Sequence, residues 1–209
     1  MTELVHLAVV LSGSGTTLQN LLDRIERGEL PARVVAVVSS VEGAFGLERA
    51  RKAGVPAVTV ERKRFEDRAS FSAALAERLD THEPDLVVFA GFIHRWDVPA
   101  SYEGKVMNVH PALIPAFSGK GYYYDRVHRE ALERGVKVSG CTVHFVDNDY
   151  DEGPIILQKV VPVEEGDTVE SLRARVQEAE REAYPEAIRL FAEGRLERRG
   201  RRVRVLPAR

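Results

Sequence analysis

The sequence predicts an α/β protein with a mostly parallel central sheet, helices on both faces and an antiparallel C-terminal part. Three observations predict it. Over the first hundred residues, short apolar runs alternate with longer amphipathic stretches, the pattern of parallel strands joined by crossover helices. One of those runs, Asp85 to Ala90 (DLVVFA), is apolar without alternation, as a strand buried on both faces is. After residue 100 the order changes to a long loop, two strands close together in the chain, and one long helix.

The elements follow in order. Val5 to Leu11 is a compact β-type run closed by the turn-forming Ser12-Gly13-Ser14-Gly15. Thr16 to Arg27 places Leu18, Leu21, Leu22 and Ile25 at helical spacing and stops at Gly28. Val34 to Val38 is a second strand, Gly46 to Ala53 a short helix ending at Gly54, and Ala57 to Val60 a third strand. Phe65 to Leu79 is a helix, and Asp85 to Ala90 the next strand. Lys105 to Val109 is another strand, and a Gly- and Pro-containing loop runs from Pro111 to Gly121. A helix at Tyr124 to Arg134 leads to strands at Val138 to Val146 and Pro154 to Pro162, then a helix from Val169 to about Ala192. The tail Arg195 to Leu206 reads as a hairpin turning at Arg199-Gly200.

Composition narrows the function classes. Thirty basic against 32 acidic residues leave the 209-residue chain at a formal charge of -2, with 44% hydrophobic and 30% charged residues. That is a well-packed globular composition, and it argues against nucleic-acid or membrane binding driven by net charge. No apolar run approaches the roughly 18–20 residues that span a bilayer. Met1 to Leu4 carries an acid and no basic region, so no secretory signal is expected. One cysteine, Cys141, excludes an intrachain disulfide and a cysteine-built zinc site, and fits the reducing cytoplasm. Arginine supplies 24 of the 30 basic residues, a bias compatible with a heat-loving source or with a GC-rich genome. No repeat, low-complexity segment or flexible linker divides the chain, so a single domain over 1–209 is expected, in halves 1–100 and 101–209.

Three segments carry candidate chemistry. Ser12-Gly13-Ser14-Gly15-Thr16-Thr17 lies between the first strand and the first helix, where free backbone N–H groups and a partial positive charge suit a phosphate monoester. It has no Gly-Lys-Ser/Thr and no full dinucleotide fingerprint, and the plain alternative is a Gly-rich turn with Thr as helix cap. Asn108-Val109-His110-Pro111 ends a strand, with Asn108 and His110 on one face by period-two spacing. An amide donor beside an imidazole suits a developing oxyanion; a capping Asn and a structural His are the alternative. The acidic turn Asp147-Asn148-Asp149-Tyr150-Asp151-Glu152 is either solvated or supplies a carboxylate that orients a histidine, and spacing alone does not choose which one.

Other polar residues read more plainly. His144, inside the preceding strand, reads as a core or support histidine. His6, His82, His94 and His128 form no metal-ligand spacing, so no metal is expected. Cys141 reads as a buried, inert thiol. The tail from Arg195 to Arg209 holds seven Arg against one Glu; it could touch RNA, but its alternation suits a solvated edge hairpin.

Together these segments resemble the phosphoribosylglycinamide formyltransferase family, folate-dependent enzymes of purine synthesis. The likeness runs from about Ala8 to about Leu196. It rests on SGSGTTLQNLL, VSSVEGAFGLERARKAGVP, PDLVVFAGF, GKVMNVHPALIPAF, GVKVSGCTVHFVDNDYDEGPIILQKVVPV and RVQEAEREAYP, in that order. The resemblance implies a Rossmann-like formyltransferase fold with a phosphate-binding first half and a catalytic, folate-binding second half. It implies that Asn108, His110 and Asp151 form a catalytic trio and that Gly15, Thr16 and Thr17 hold the phosphate of glycinamide ribonucleotide. Glu180 matches an acid on that substrate's ribose, while Arg68 and Ile93, His94, Arg95 and Trp96 match folate-contacting positions. The turn Asp147, Asn148, Asp149, Tyr150 to Asp151 matches a loop closing over the pterin.

Departures are local. Some members have Asn at Thr17, Met-Arg-Ile-Leu at Ile93-His94-Arg95-Trp96, and Asp-Gly-Gly-Pro or Asp-Thr-Gly-Pro where this chain has Asp151-Glu152-Gly153-Pro154. The loop SGKGYYYDRVH is another variant, and the resemblance gives no role to Lys120 or to Tyr122 to Tyr124.

The implied reaction is formyl transfer from the co-substrate 10-formyltetrahydrofolate to the amine of glycinamide ribonucleotide, by a cytoplasmic monomer or homodimer without metal, nucleic acid or membrane. A methionyl-tRNA formyltransferase would add a C-terminal RNA domain, and a formyltetrahydrofolate hydrolase an N-terminal regulatory domain; neither is expected from this sequence. A non-catalytic phosphate-ligand or RNA-binding module using the Gly-rich loop and basic tail is the rival of another class.

Overall fold

The computed structural model describes residues 4–123 and 125–208. The chain forms two compact units, Met1–Met107 and Asn108–Arg209.

The first unit contains β1 (Val5–Leu11), α1 (Thr16–Glu26), β2 (Ala32–Ser39), α2 (Phe45–Lys52), β3 (Ala57–Thr59), α3 (Arg68–Asp80) and β4 (Leu86–Phe89). Its strands lie in the order β3-β2-β1-β4. Every pairing among them is parallel, with Val9 opposite Val37 on one side and Val88 on the other. Leu7 to Leu11 are all 0% exposed. Successive strand residues point to opposite faces, so a fully buried run requires both faces of the sheet to be covered. Leu18 and Leu21 of α1, Leu47 and Ala50 of α2, and Phe71, Leu75 and Leu79 of α3 supply that cover at helical spacing.

The predicted helix over Phe65 to Leu79 begins three residues later, at Arg68. Asp67 sets the boundary, because its side chain accepts from Ser70 N at 2.7 Å and so satisfies a backbone donor of the first turn. Phe65 stays outside the helix and packs edge-on against Phe71, with ring centroids 5.8 Å apart.

β5 (Val106–His110) leads into the second unit, followed by α4 (Asp125–Glu133), β6 (Val138–Phe145), β7 (Ile155–Pro162), α5 (Val169–Ala192), β8 (Leu196–Arg199) and β9 (Arg202–Val205). Tyr124, where the sequence predicts α4 to begin, lies outside the described residues, as do Met1 to Glu3 and Arg209. β6 and β7 pair antiparallel, as expected of the C-terminal part, and β8 and β9 form the predicted hairpin. β9 joins β7 in parallel through Ile155 and Arg202. The core of this unit is built on α5, whose Leu172, Val176, Ala183, Tyr184, Ala187 and Ile188 are all 0% exposed.

Asp167 anchors the start of α5. Its carboxylate accepts from Glu164 N, from Ser171 Oγ at 2.7 Å, and from both terminal nitrogens of Arg175 at 2.7 and 3.0 Å. The Arg175 contact, then Ser171, hold this carboxyl far below the usual carboxylate range. A carboxyl whose folded pKa is depressed stabilises the fold above its unfolded value of about 3.9 and loses that contribution as pH falls. Asp167→Asn is therefore expected to lower unfolding free energy by about 1–3 kcal/mol at pH 7. Urea titrations across pH should show the gap between variant and parent closing below about pH 4.

Candidate active site

β5 delivers Asn108 and His110 two residues apart on one strand face, and β6 delivers His144. The amide Nδ2 of Asn108 lies 3.3 Å from Nε2 of His144. His110 is 4% exposed, with Nδ1 3.5 Å from Asp151 Oδ2 and Nε2 2.8 Å from the Phe117 carbonyl oxygen. The other Asp151 oxygen, Oδ1, is 3.8 Å from His144 Nε2. In the 147–152 turn, Asp151 places its carboxylate beside both histidines. His144, read from sequence as a core or support histidine, belongs to the same cluster.

Hydrogen-bond bookkeeping assigns the protons. A carbonyl oxygen only accepts, so His110 must donate from Nε2 to Phe117, and His144 must donate from Nδ1 to the Phe145 carbonyl at 2.9 Å. Burial, the largest influence on His144, pushes its pKa down and favours the neutral ring. Its Nε2 then carries a lone pair that accepts from the Asn108 amide. His110 differs in that its Nδ1 faces the Asp151 carboxylate.

The backbone that carries Asp151 is shaped by two positions. Asp151 adopts φ 56°, a left-handed conformation that Asp tolerates better than most residues. At Gly153 a Cβ would stand 1.8 Å from the Phe145 carbonyl oxygen, so the turn closes this tightly only with glycine there. Gly119 N donates to Asp151 Oδ2 at 2.9 Å. The loop that supplies Gly119 and Phe117 is pinned through Thr142, whose hydroxyl donates to Ala112 O and accepts from Ile114 N and Gln158 Nε2. The carbonyl of Phe117 and the N–H of Gly119 are site groups that sequence reasoning missed; main-chain atoms leave no residue signature.

In the first unit the Gly-rich segment runs directly into the N-terminus of α1. Gly15, not a threonine, is the N-cap of α1, with φ 70° and no side-chain cap, and no acidic residue occupies the first turn. Thr16 and Thr17 are the first helical residues, so the alternative of Thr as cap does not hold. The early N–H groups of such a helix have no intrahelical partner and carry partial positive charge. Arg49 steadies the loop, donating from Nε to Ser14 O and from Nη1 to Gln19 Oε1, both at 2.9 Å.

The remaining predicted positions divide between the units. Glu180, in α5, is half-buried and is pushed up to about 7 by burial, against the opposing charge of Arg181. Its carboxylate adds to burial in pushing the Cys141 thiol up to about 12, and that cysteine is inert by this measure as well as by position. Asp147 accepts from Asp149 N at 3.0 Å, a local turn bond, and Asn148, Asp149 and Tyr150 are exposed. In the first unit, Arg68 is paired with Asp97 at 2.8 Å, and Ile93 is exposed. His94 lines a recess of about 260 Å³ with Ser40 and Arg62, and Arg95 is half-buried. Trp96 is 2% exposed, with its ring in the core and its Nε1 donating to Ser72 O at 3.0 Å. Among the described residues, no group of three or more His, Cys, Asp or Glu side chains is placed to hold a metal, and no helix is long and apolar enough to cross a membrane.

The formyl transferase family pattern matches residues 5–188. The chain is 40% identical to phosphoribosylglycinamide formyltransferase of Escherichia coli over 195 residues, covering 92% of this chain and 89% of that one. It is 41% identical to the trifunctional purine biosynthetic protein adenosine-3 of Gallus gallus, of whose length it spans 19%. The crystal structure of glycinamide ribonucleotide transformylase 1 from Symbiobacterium toebii superposes with a TM-score of 0.93 at 50% identity, covering 99% of this chain and 96% of that one.

The packing of the Gly-rich loop gives a paired test. A Cβ on Gly15 would lie 2.6 Å from the Gly46 Cα, at a left-handed φ, whereas a Cβ on Gly13 meets nothing within 4 Å. Gly15→Ala is expected to cost about 1–3 kcal/mol in chemical denaturation. Gly13→Ala should stay within about 0.5 kcal/mol of the parent.

Proposed function

Since the chain belongs to the formyl transferase family, we propose that it transfers the formyl group of 10-formyltetrahydrofolate to the amine of glycinamide ribonucleotide in purine synthesis. The observation that carries this reading is the cluster of Asn108, His110 and Asp151, a paired donor set beside a carboxylate.

In the proposed reaction the amine nitrogen attacks the formyl carbon, and the carbonyl electron pair moves onto the formyl oxygen. Asn108 donates to that oxygen from the amide hydrogen not used on His144, and His110 donates from Nδ1, its Nε2 being held by Phe117. Asp151, close to Nδ1, stabilises the imidazolium and relays a proton from the attacking amine, through water, to the departing folate nitrogen. Collapse of the tetrahedral intermediate returns the electron pair to the carbonyl and breaks the bond to that nitrogen, giving formylated product and tetrahydrofolate. The step requires no metal and no covalent bond to the protein.

Gly15, Thr16 and Thr17 hold the phosphate through the open N-terminus of α1 and the two hydroxyls. Glu180 accepts from the ribose hydroxyls. The folate contacts Ile93, His94, Arg95 and Trp96, the last through its backbone alone, and the 147–150 turn covers the pterin. Arg68 lies on the folate side with its charge shared with Asp97. The chain works in the cytoplasm as one formyltransferase domain, monomeric or homodimeric, on small molecules without nucleic acid.

The test is tetrahydrofolate release from 10-formyltetrahydrofolate, with and without glycinamide ribonucleotide. Release that depends on the acceptor is the expected result; release without it indicates hydrolysis, and no release indicates a binding module. His110→Ala should slow acceptor-dependent turnover roughly 10²–10³-fold, the usual loss for one oxyanion donor. It should leave ribonucleotide binding, measured by calorimetry, near the parent value.

A further inference from the structure

Asn108 can assist the reaction only if its amide presents nitrogen, not oxygen, to the formyl group, and an unrestrained amide has no such preference. The protein must therefore fix which end points where. On one side of Asn108 stands His144, 2% exposed and bonded at both ring nitrogens. Its Nδ1 is obliged to donate, because its partner 2.9 Å away is the carbonyl oxygen of Phe145. In a neutral ring this leaves Nε2 as a pure acceptor, 3.3 Å from Asn108 Nδ2. An Asn108 flipped by 180° would face that lone pair with its own oxygen, an arrangement of two acceptors that holds no proton.

We infer that His144 is a positioning residue: a neutral imidazole, set by the Phe145 carbonyl, that holds the Asn108 amide with one N–H toward the ring and the second free for the formyl oxygen. The relay runs Phe145 O, His144, Asn108, and each link follows from which atoms can donate. The Phe145 carbonyl is itself fixed, because Phe145 N donates to Pro154 O at 2.9 Å across the neck of the Asp151 turn. Asp151 Oδ1, at 3.8 Å from His144 Nε2, is too far for a hydrogen bond that would demand a proton there.

This inference rests on the proposed formyl transfer, and two measurements separate the failure of one from the failure of the other. The first needs no activity. Long-range proton–nitrogen NMR of the intact protein at pH 7 should show His144 as the neutral Nδ1–H tautomer, and an Asn108→Ala variant should shift its Nε2 resonance. A ring protonated at Nε2, in either the other tautomer or the imidazolium, would overturn the inference whatever the enzyme does.

The second is a double-mutant cycle in the transfer assay. His144→Leu is expected to lower kcat by about 10–100-fold, as loss of orientation does, with KM for both substrates within about twofold of the parent. His144→Gln, which restores an acceptor near the Nε2 position, should recover part of that loss. In an Asn108→Ala background the same His144→Leu change should cost less than about twofold, because the group it orients is already gone. An equal loss in both backgrounds would contradict the inference while leaving formyl transfer standing.

Discussion

The Asp151 carboxylate reaches two buried histidines because one backbone turn, between β6 and β7, is closed more tightly than a side chain at residue 153 would allow. Gly153 lies under the Phe145 carbonyl, Asp151 takes a left-handed conformation, and the carboxylate meets the Gly119 N–H and the edge of His110. Relaxing that turn moves the charge away from the ring it accompanies. The same neck carries the Phe145 carbonyl that sets the tautomer of His144. One stretch of main chain thus determines the placement of the carboxylate and, through His144, the facing of the Asn108 amide. The strain of a non-glycine left-handed residue, about 1–2 kcal/mol, is the kind of cost a functional turn carries.

Much of the fold was legible from periodicity. The alternation of apolar runs with amphipathic stretches located β1 to β4 and α1 to α3, and the unbroken apolar run around Val87 marked a strand covered on both faces. Boundaries failed where a side chain competed with the helix for its first turn: Asp67 satisfies the backbone of α3 and excludes Phe65, although Phe65 is as apolar as the residues that follow. A search for apolar spacing counts Phe65 and overlooks the cap.

The candidate site was legible in part. Period-two spacing placed Asn108 and His110 on one face, and glycine content pointed to the N-terminus of α1. Spacing did not choose among Asp147, Asp149, Asp151 and Glu152, since that choice depends on a backbone conformation at a single residue; the resemblance selected Asp151. His144 looked like core because it lies in an apolar strand, and it is indeed buried. Its chemistry comes from the carbonyl on one side and the amide on the other, and neither relation is written in local sequence. Trp96 shows the converse, since only the resemblance implied a folate contact at this position, while the indole belongs to the core around Phe89 and Tyr102.

The placement of the Asp151 carboxylate is tested most directly by single-turnover formyl transfer in an Asp151→Asn variant, with ribonucleotide affinity measured alongside. The substitution keeps the size of the side chain and a residue that tolerates the left-handed conformation, and it removes the charge. The account predicts a transfer rate lower by about 10²-fold or more, the scale of positioned proton transfer and charge stabilisation, with binding unchanged. A rate within a few-fold of the parent would contradict it.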